Sequence, residues 1–242
     1  MNLFIRLVNF NRLITKKVVD LFGYLFGRID NCELYFFTEL NNLNLKGQTV
    51  LELGGTWRPL LKKGDDFKYF GIDIDDSFRP RELYDHYFCN SVEDDIDTKA
   101  DIIVSKYLIE HVKNNTRTFD NTYKWLNKGG YAINIFPLKN HPYSLINKLV
   151  GNRTAKSFIS LLRPGTETVS GYPAYYNLCS SSELEEFLSK RGWKYHLTYC
   201  FGAEDYFGFF FPLGIIIHLY NRICSLFNLN YLASNVVLEI YK

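Results

Sequence analysis

The sequence predicts an α/β domain in which helices cover both faces of a mostly parallel β-sheet. Short apolar runs alternate with helical segments from about residue 48 to residue 136, which is the pattern of strand–helix–strand units. The first run ends in two glycines, Gly54 and Gly55, and the next ends in acids, Asp73 and Asp75. Parallel strands bring such ends to one edge of the sheet, where α/β proteins bind their ligands.

The individual elements follow from local patterns. A helical spacing of apolar residues covers residues 1 to about 40, and Pro59 suits the first turn of a helix after the first strand. Gly129 and Gly130 predict the end of a helix over 116–126, and Ser182-x-x-Glu185 is a capping box that opens a helix ended by Gly192. Apolar runs predict strands at residues 48–53, 68–74, 87–89, 101–105, 131–136, 195–200 and 235–241.

The composition is that of a globular protein and limits its partners. The chain has 242 residues, of which 47% are hydrophobic, so it can form a substantial core. Its formal net charge of +2 gives no support for nucleic-acid binding, and we expect no nucleic-acid partner.

The cysteines predict neither a metal site nor a disulfide scaffold. Their number is odd, and no two of them form a Cys-x-x-Cys pair. We therefore expect no bound metal, and five reduced and mostly buried thiols in a cytoplasmic protein. The five are Cys32, Cys89, Cys179, Cys200 and Cys224.

Two apolar segments leave a membrane association open. Residues 1–28 combine apolar and basic side chains, and residues 206–227 are strongly apolar but contain Pro212 and Arg222. Neither provides the ~20 predominantly apolar residues of a spanning helix. A peripheral contact through either segment and simple packing against the domain are both compatible with the pattern.

Five motifs, in this order and spacing, resemble those of the class I methyltransferases. They are the glycine turn at 52–58, the acid Asp73, the loop at 89–94, the stretch Leu108-Ile109-Glu110-His111-Val112 and the turn at 126–130. The resemblance implies a seven-stranded Rossmann-like sheet that binds S-adenosylmethionine. It is preceded by an N-terminal amphipathic helical segment at 1–40, and the methyltransferase domain at 41–242 carries helical cover insertions at 138–178 and 203–230 on the acceptor side.

The same resemblance implies where the cofactor binds. The glycine turn holds the methionine end, Asp73 holds the ribose hydroxyls, and the loop after the third strand lies against the adenine. Thr56 and Arg58 stand where the family often has further glycines, and Asn90 replaces a common Asp. The implied cofactor-binding residues are Glu52, Leu53, Gly54, Gly55, Thr56, Asp73, Ile74, Asn90, Ser91, Val92, Lys106 and Tyr107.

Two histidines are the candidate catalytic residues. An imidazole ordinarily titrates near neutrality and can act as a general base. His111 has that interpretation, and the alternative is a helix histidine packed under the cofactor. His141 follows the fifth strand, where acceptor-facing residues often lie, and the alternative there is a surface turn. The tyrosine-rich stretch at 171–176 lies within a long segment at about 138–178, which is interpreted as a cover for the acceptor. The alternative is an aromatic cluster that only seals the core.

The resulting hypothesis is a methyltransferase that O-methylates a sugar or glycolipid of a polysaccharide pathway. A small natural-product or quinone-like acceptor is the alternative within the class. Two alternatives from other classes are an NAD(P)-dependent oxidoreductase and a non-catalytic membrane-associated scaffold. The first would need Gly-x-Gly-x-x-Gly after the first strand, and residues 54–59 lack that pattern.

Overall fold

The computed structural model describes residues 3–55, 58–76, 82–150, 172–202 and 207–242. The helices within these ranges are α1 (Leu3–Phe26), α2 (Cys32–Asn42), α3 (Asn115–Trp125), α4 (Pro142–Val150), α5 (Ser181–Arg191) and α6 (Phe211–Leu226). The strands are β1 (Thr49–Leu53), β2 (Lys68–Asp73), β3 (His86–Cys89), β4 (Ala100–Lys106), β5 (Leu126–Pro137), β6 (Lys194–Cys200) and β7 (Asn235–Tyr241). Short 3₁₀ turns cover Ile109–His111 and Asn230–Leu232.

The seven strands form one mostly parallel sheet, which confirms the predicted fold class. Their order is β3-β2-β1-β4-β5-β7-β6. The four pairings from β3 through β5 are parallel. Strand β7 is antiparallel to β5. Gly129 near the start of β5 is hydrogen-bonded to Lys242 after the end of β7, whereas Leu138 just beyond the end of β5 is hydrogen-bonded to Ser234 before the start of β7. The order reverses between β1 and β4, and ligands of open α/β sheets bind at such a point.

The chain divides into two compact units. One comprises residues 1–32, 138–174 and 199–235, and the other comprises residues 33–137, 175–198 and 236–242. The second unit contains most of the sheet, and we call it the sheet unit. The first contains α1, α4 and α6, and we call it the helical unit. The central strands of the sheet unit are fully buried, as Leu51, Ile103 and Ile133 illustrate.

Four local predictions differ from the structure. The helix predicted over residues 1–40 is two helices, and Gly27 between them has a φ of +83°. No helix follows Pro59 among residues 58–67. Helix α5 begins one residue before the proposed cap, so Ser182 lies inside its first turn and the capping box is absent. Gly192 does end this helix, as predicted, with a φ of +64°.

The fourth difference concerns the two glycines before residue 131. Helix α3 ends at Trp125, and β5 begins at the next residue. Gly129 and Gly130 therefore lie within the strand, where they exchange hydrogen bonds with Lys242. A Cβ on Gly130 would lie 2.9 Å from the carbonyl oxygen of Asn127, so this position requires glycine for space.

The prediction of five reduced thiols is wrong for one pair. Cys32 and Cys200 form a disulfide within the helical unit, with their Cα atoms 5.5 Å apart. They are 168 residues apart in the chain, and no local spacing pattern reports such a pair. Cys89, Cys179 and Cys224 form no disulfide, and of these three Cys89 is exposed.

Two features are absent among the residues that the structure describes. None of the helices in these ranges has the length and apolar character needed to cross a bilayer. Over the same ranges, no three His, Cys, Asp or Glu side chains are grouped so that they could hold a metal ion.

Candidate functional site

The strand register brings three of the predicted residues to one edge of the sheet. Leu53 pairs with Ile72 on β2 and with Ser105 on β4. Gly54, Asp73 and Lys106 each follow those paired positions by one residue, at the carboxyl ends of adjacent strands. Neighbouring strands lie about 4.8 Å apart, so the three positions are side by side.

The glycine turn after β1 is held close to its neighbours. Gly54 has a φ of +77°, a conformation that favours glycine, and its amide donates to the carbonyl of Ile72 at 2.9 Å. A Cβ on Gly55 would lie 2.7 Å from the hydroxyl of Tyr84. Gly55 is buried, and the turn can pack this closely against Tyr84 only because Gly55 has no side chain. Thr56 lies outside the described residues.

Glu52 is a buried carboxyl that stabilises this turn through hydrogen bonds. It accepts hydrogen bonds from the amide of Leu60 at 3.1 Å, from the hydroxyl of Tyr84 at 3.2 Å and from the hydroxyl of Tyr69. Burial raises its pKa to about 7. Glu52 is 3% exposed and Leu53 is 1% exposed, so neither side chain is open to direct contact with a ligand. Each would act on a ligand only through the backbone conformation that it stabilises.

The end of β2 combines an acid with an exposed apolar side chain. The Asp73 carboxylate accepts the amide of Asp75 at 2.9 Å, and partial burial raises its pKa. Ile74 is 70% exposed. The hydroxyl of Tyr87 donates to the carbonyl of Asp75 at 2.6 Å and holds the following backbone in place. An acid and an apolar contact side by side suit a ribose and the base attached to it.

The loop after β3 is organised by its own hydrogen bonds. The carboxylate of Asp94 accepts the amide of Ser91 at 3.0 Å, and the hydroxyl of Ser91 accepts the amide of Glu93 at 3.1 Å. Val92 is buried, whereas Asn90 is exposed. Asn121 of α3 donates to the carbonyl of Val92 at 3.1 Å and fixes the loop to the helix.

The end of β4 carries a strained residue and a paired lysine. Tyr107 has a φ of +54°, a left-handed conformation that is unusual for a residue with a side chain. Its amide donates to the carbonyl of Ile135 at 2.9 Å, which keeps the turn aligned with β5. Lys106 forms an ion pair with Glu33 at 2.8 Å and lies over the ring of Phe37.

Glu110 and His111 form a second polar pair in the turn after β4. The carboxyl Oε1 of Glu110 lies 3.8 Å from Nε2 of His111. Glu110 is 5% exposed, and burial raises its pKa to about 8. Its Oε2 atom is buried without a hydrogen-bond partner among the described residues. The carbonyl of Glu110 accepts the amides of Tyr175 and Tyr176, which brings part of the tyrosine-rich stretch to this turn.

The imidazole of His141 is buried and hydrogen-bonded. It belongs to the helical unit and is 1% exposed. Its Nδ1 accepts the amide of Tyr143 at 3.2 Å, and its Nε2 lies 3.0 Å from Oδ1 of Asn221. Both ring nitrogens are thus engaged, because Nδ1 accepts and Nε2 can donate to the amide oxygen.

Sequence reasoning missed three residues of this edge. Tyr69 lies within the apolar run at 68–74, and Tyr84 lies just before the run at 87–89. Only the fold brings their hydroxyls to Glu52. Glu110 lies in the stretch at 108–112, and a carboxyl next to a histidine in a turn after a strand is the signal that could identify it.

The sequence model of a family described as "Methyltransferase domain" matches residues 33–198. A search of the curated proteins finds no match.

Solved structures with a similar fold include a SAM-dependent methyltransferase from Thermotoga maritima, with a TM-score of 0.53 at 16% identity over 99% of both chains. Phosphoethanolamine N-methyltransferase 2 of Haemonchus contortus, in complex with phosphomonomethylethanolamine and S-adenosylhomocysteine, has a TM-score of 0.52 at 14% identity. That match covers all of this chain but 60% of the Haemonchus enzyme. At these identities the likeness concerns the fold.

Proposed function

Because this chain belongs to the methyltransferase-domain family, we propose that it binds S-adenosylmethionine at the carboxyl edge of β1, β2 and β4 and methylates a hydroxyl of a sugar or glycolipid. The observation that carries the cofactor assignment is the register that aligns Gly54, Asp73 and Lys106. The S-adenosylhomocysteine bound to the Haemonchus neighbour supports the same choice of cofactor.

The described residues fit this cofactor. Gly54 has a φ of +77° and is half-buried, so the chain turns sharply at the end of β1 and a ligand can approach its backbone. Asp73 provides a carboxylate for the ribose hydroxyls, and the exposed Ile74 provides an apolar surface for the adenine. The loop from Asn90 to Val92 would border the adenine, and Lys106 and Tyr107 would border the methionine end.

Glu52 contributes indirectly. Its carboxyl joins the amide of Leu60 to the hydroxyls of Tyr69 and Tyr84, and Tyr84 in turn packs against Gly55. We assign Glu52 a positioning role, in which it keeps the glycine turn in the conformation that the cofactor needs.

When bound, S-adenosylmethionine supplies a methyl group that its sulfonium already activates. The remaining task of the protein is to orient an acceptor and remove its proton. We place this base at His111, whose imidazole lies beside the buried carboxyl of Glu110. His141 has both ring nitrogens engaged, so we propose that it holds α6 through Asn221 rather than taking part in proton transfer.

The choice of a sugar acceptor rests on the tyrosine-rich stretch. The amide of Tyr175 donates to the carbonyl of Glu110 at 2.7 Å, and the Tyr175 side chain is 45% exposed. An exposed aromatic ring anchored one residue from the proposed base offers a flat surface for the apolar face of a sugar ring. The hydroxyl of Tyr175 supplies a polar contact that fixes the orientation of the sugar.

The acceptor class is tested by labelling. Purified protein is incubated with methyl-labelled S-adenosylmethionine and fractionated cell extract, and the wild type should label the polysaccharide or glycolipid fraction. A His111→Ala variant should label it at a rate at least ~100-fold lower, since general-base catalysis contributes 10²–10⁴-fold. Label confined to the small-molecule fraction would instead identify a natural-product or quinone-like acceptor.

A titration with nicotinamide dinucleotides separates the oxidoreductase alternative. We expect no change in nicotinamide fluorescence, because the turn after β1 lacks the glycine spacing that such cofactors require.

A further inference from the structure

The helical unit presents apolar side chains on two adjacent helices. On α1, Leu7, Phe10 and Leu21 are 57%, 59% and 55% exposed. On α6, Ile216, Ile223 and Leu226 are 61%, 53% and 68% exposed. Single exposed apolar residues are ordinary, whereas rows of them mark a surface that binds a partner. We call these two rows together the apolar face.

The two helices are parallel neighbours. Asn11 accepts the amide of Phe211, and the Thr15 methyl would lie 2.7 Å from a Cβ on Gly214. Further along, Phe22 contacts His218, and Arg222 donates to the carbonyl of Gly27 at 2.8 Å. Contacts follow the same order on both helices, so the helices run in the same direction.

The exposed apolar rows of α1 and α6 lie on the same side of the helix pair. Val8 and Thr15 on α1, and Ile217, Asn221 and Cys224 on α6, are buried and mark the side that faces the interior of the unit. At 100° per residue the exposed rows lie on the opposite side of each helix. Because the two helices are parallel and share one interior, their exposed rows form one continuous surface.

The charge next to this surface is positive. Residues 1–28 contain five basic side chains and one acid, Asp20, which gives a net charge of +4. The whole chain has a net charge of +2, so the remaining residues carry −2. Positive charge is therefore concentrated on α1 and its flank, with Arg6 and Lys17 on the exposed side of the helix.

We propose that the apolar face binds the surface of a lipid bilayer that contains anionic lipids, with α1 and α6 lying along it. Helices that combine exposed Leu, Ile and Phe with Lys and Arg bind in this way, through apolar insertion and attraction to lipid phosphates. Pairing of α1 with α1 of a second copy would bring the same cations together, which disfavours that occupant.

Vesicle sedimentation tests the proposal. The protein is mixed in 0.1 M salt with vesicles of phosphatidylcholine alone or with about 30% phosphatidylglycerol. We expect the wild type to pellet with the anionic vesicles and to remain in solution with the neutral ones. Phe10→Ser with Leu21→Ser should lower the partition coefficient at least ~10-fold. Arg6→Gln with Lys17→Gln should lower it by about 5-fold for each charge removed.

A matched variant with Lys62→Gln and Lys128→Gln removes the same charge from exposed positions of the sheet unit and should bind like the wild type. Circular dichroism checks that the variants stay folded. A wild type that stays in solution with anionic vesicles would overturn the proposal, as would equal binding by the Phe10/Leu21 variant. Sedimentation velocity without lipid tests for a dimer. If the wild type is a dimer and the Phe10/Leu21 variant is a monomer, the apolar face binds a second copy of the chain instead.

Discussion

The carboxyl of Glu110 lies 3.8 Å from the imidazole of His111, in the turn that follows β4. The carboxyl is buried, and its second oxygen has no hydrogen-bond partner among the residues that the structure describes. Burial raises its pKa to about 8, so the folded protein holds a proton there that the unfolded chain loses near pH 4.5. At neutral pH the pair thus places an uncharged carboxyl beside an imidazole, and the burial of this carboxyl has consequences for stability.

The stability of the wild type should fall as the pH rises from about 5 to 8. The folded state binds more protons than the unfolded state in this window, which makes the free energy of unfolding decrease with pH. Glu110→Gln imitates the neutral acid, so it should leave stability at pH 5 nearly unchanged. At pH 8.5 the variant should be more stable than the wild type by ~2–4 kcal/mol, at ~1.4 kcal/mol per unit of pKa shift.

Urea unfolding at the two pH values measures this difference. Glu52 has a pKa raised to about 7 and retains its own contribution in the variant, so some pH dependence should remain. Glu186→Gln is the control, because the pKa of this exposed acid is lowered by its hydrogen bond to Lys190 and the variant should not gain stability at high pH. An equal effect of Glu110→Gln at pH 5 and pH 8.5 would contradict the burial argument.

Gly55→Ala should destabilise the protein by about 1–3 kcal/mol, the usual cost of overpacking. The added Cβ would lie 2.7 Å from the hydroxyl and 3.0 Å from Cζ of a buried Tyr84 ring. Thermal unfolding measures the loss. Tyr84→Phe removes the closer atom, so the effect of Gly55→Ala should be smaller in that background. Full additivity of the two substitutions would show that the side chains do not meet.

Ile74→Ser should weaken S-adenosylhomocysteine binding by about 5- to 30-fold and leave the melting temperature unchanged. The side chain is 70% exposed, so it contributes little to the core, whereas a bound adenine would cover it. Isothermal titration calorimetry measures the affinity. Leu21→Ser, at a similarly exposed residue of the helical unit, serves as the control and should bind like the wild type.

Thiol titration tests the disulfide between Cys32 and Cys200. The denatured but unreduced protein should react with three equivalents of a thiol reagent, from Cys89, Cys179 and Cys224, and with five after reduction. Five reactive thiols before reduction would restore the prediction made from the sequence.

The sequence was sufficient for the sheet because each strand carries its own signal. The runs at 49–53 and 68–73 are apolar and short. Gly54 follows the first run, and the acids Asp73 and Asp75 mark the end of the second. The start of β5 could not be predicted, since Gly129 and Gly130 are compatible with both a helix end and a strand. Only the pairing of these glycines with Lys242 decides between the two.

The site was predictable where function depends on position along a strand. Gly54 and Asp73 could be predicted because strand ends of a parallel sheet meet at one edge. The environment of Glu52 could not, because its partners Tyr69 and Tyr84 lie 17 and 32 residues away. The burial of His141 likewise depends on Asn221, which is 80 residues distant in sequence.

Calorimetric titration of the purified protein with S-adenosylhomocysteine tests the central claim most directly. The account predicts saturable binding at one site per chain. It also predicts an affinity at least ~10-fold lower for Asp73→Asn, since a hydrogen bond to a charged group contributes ~1.5–3 kcal/mol. Asp76→Asn, at an exposed acid of the same turn, should leave the affinity unchanged. The absence of binding to the wild type, or equal affinity in the Asp73→Asn variant, would contradict the placement of the cofactor at this edge.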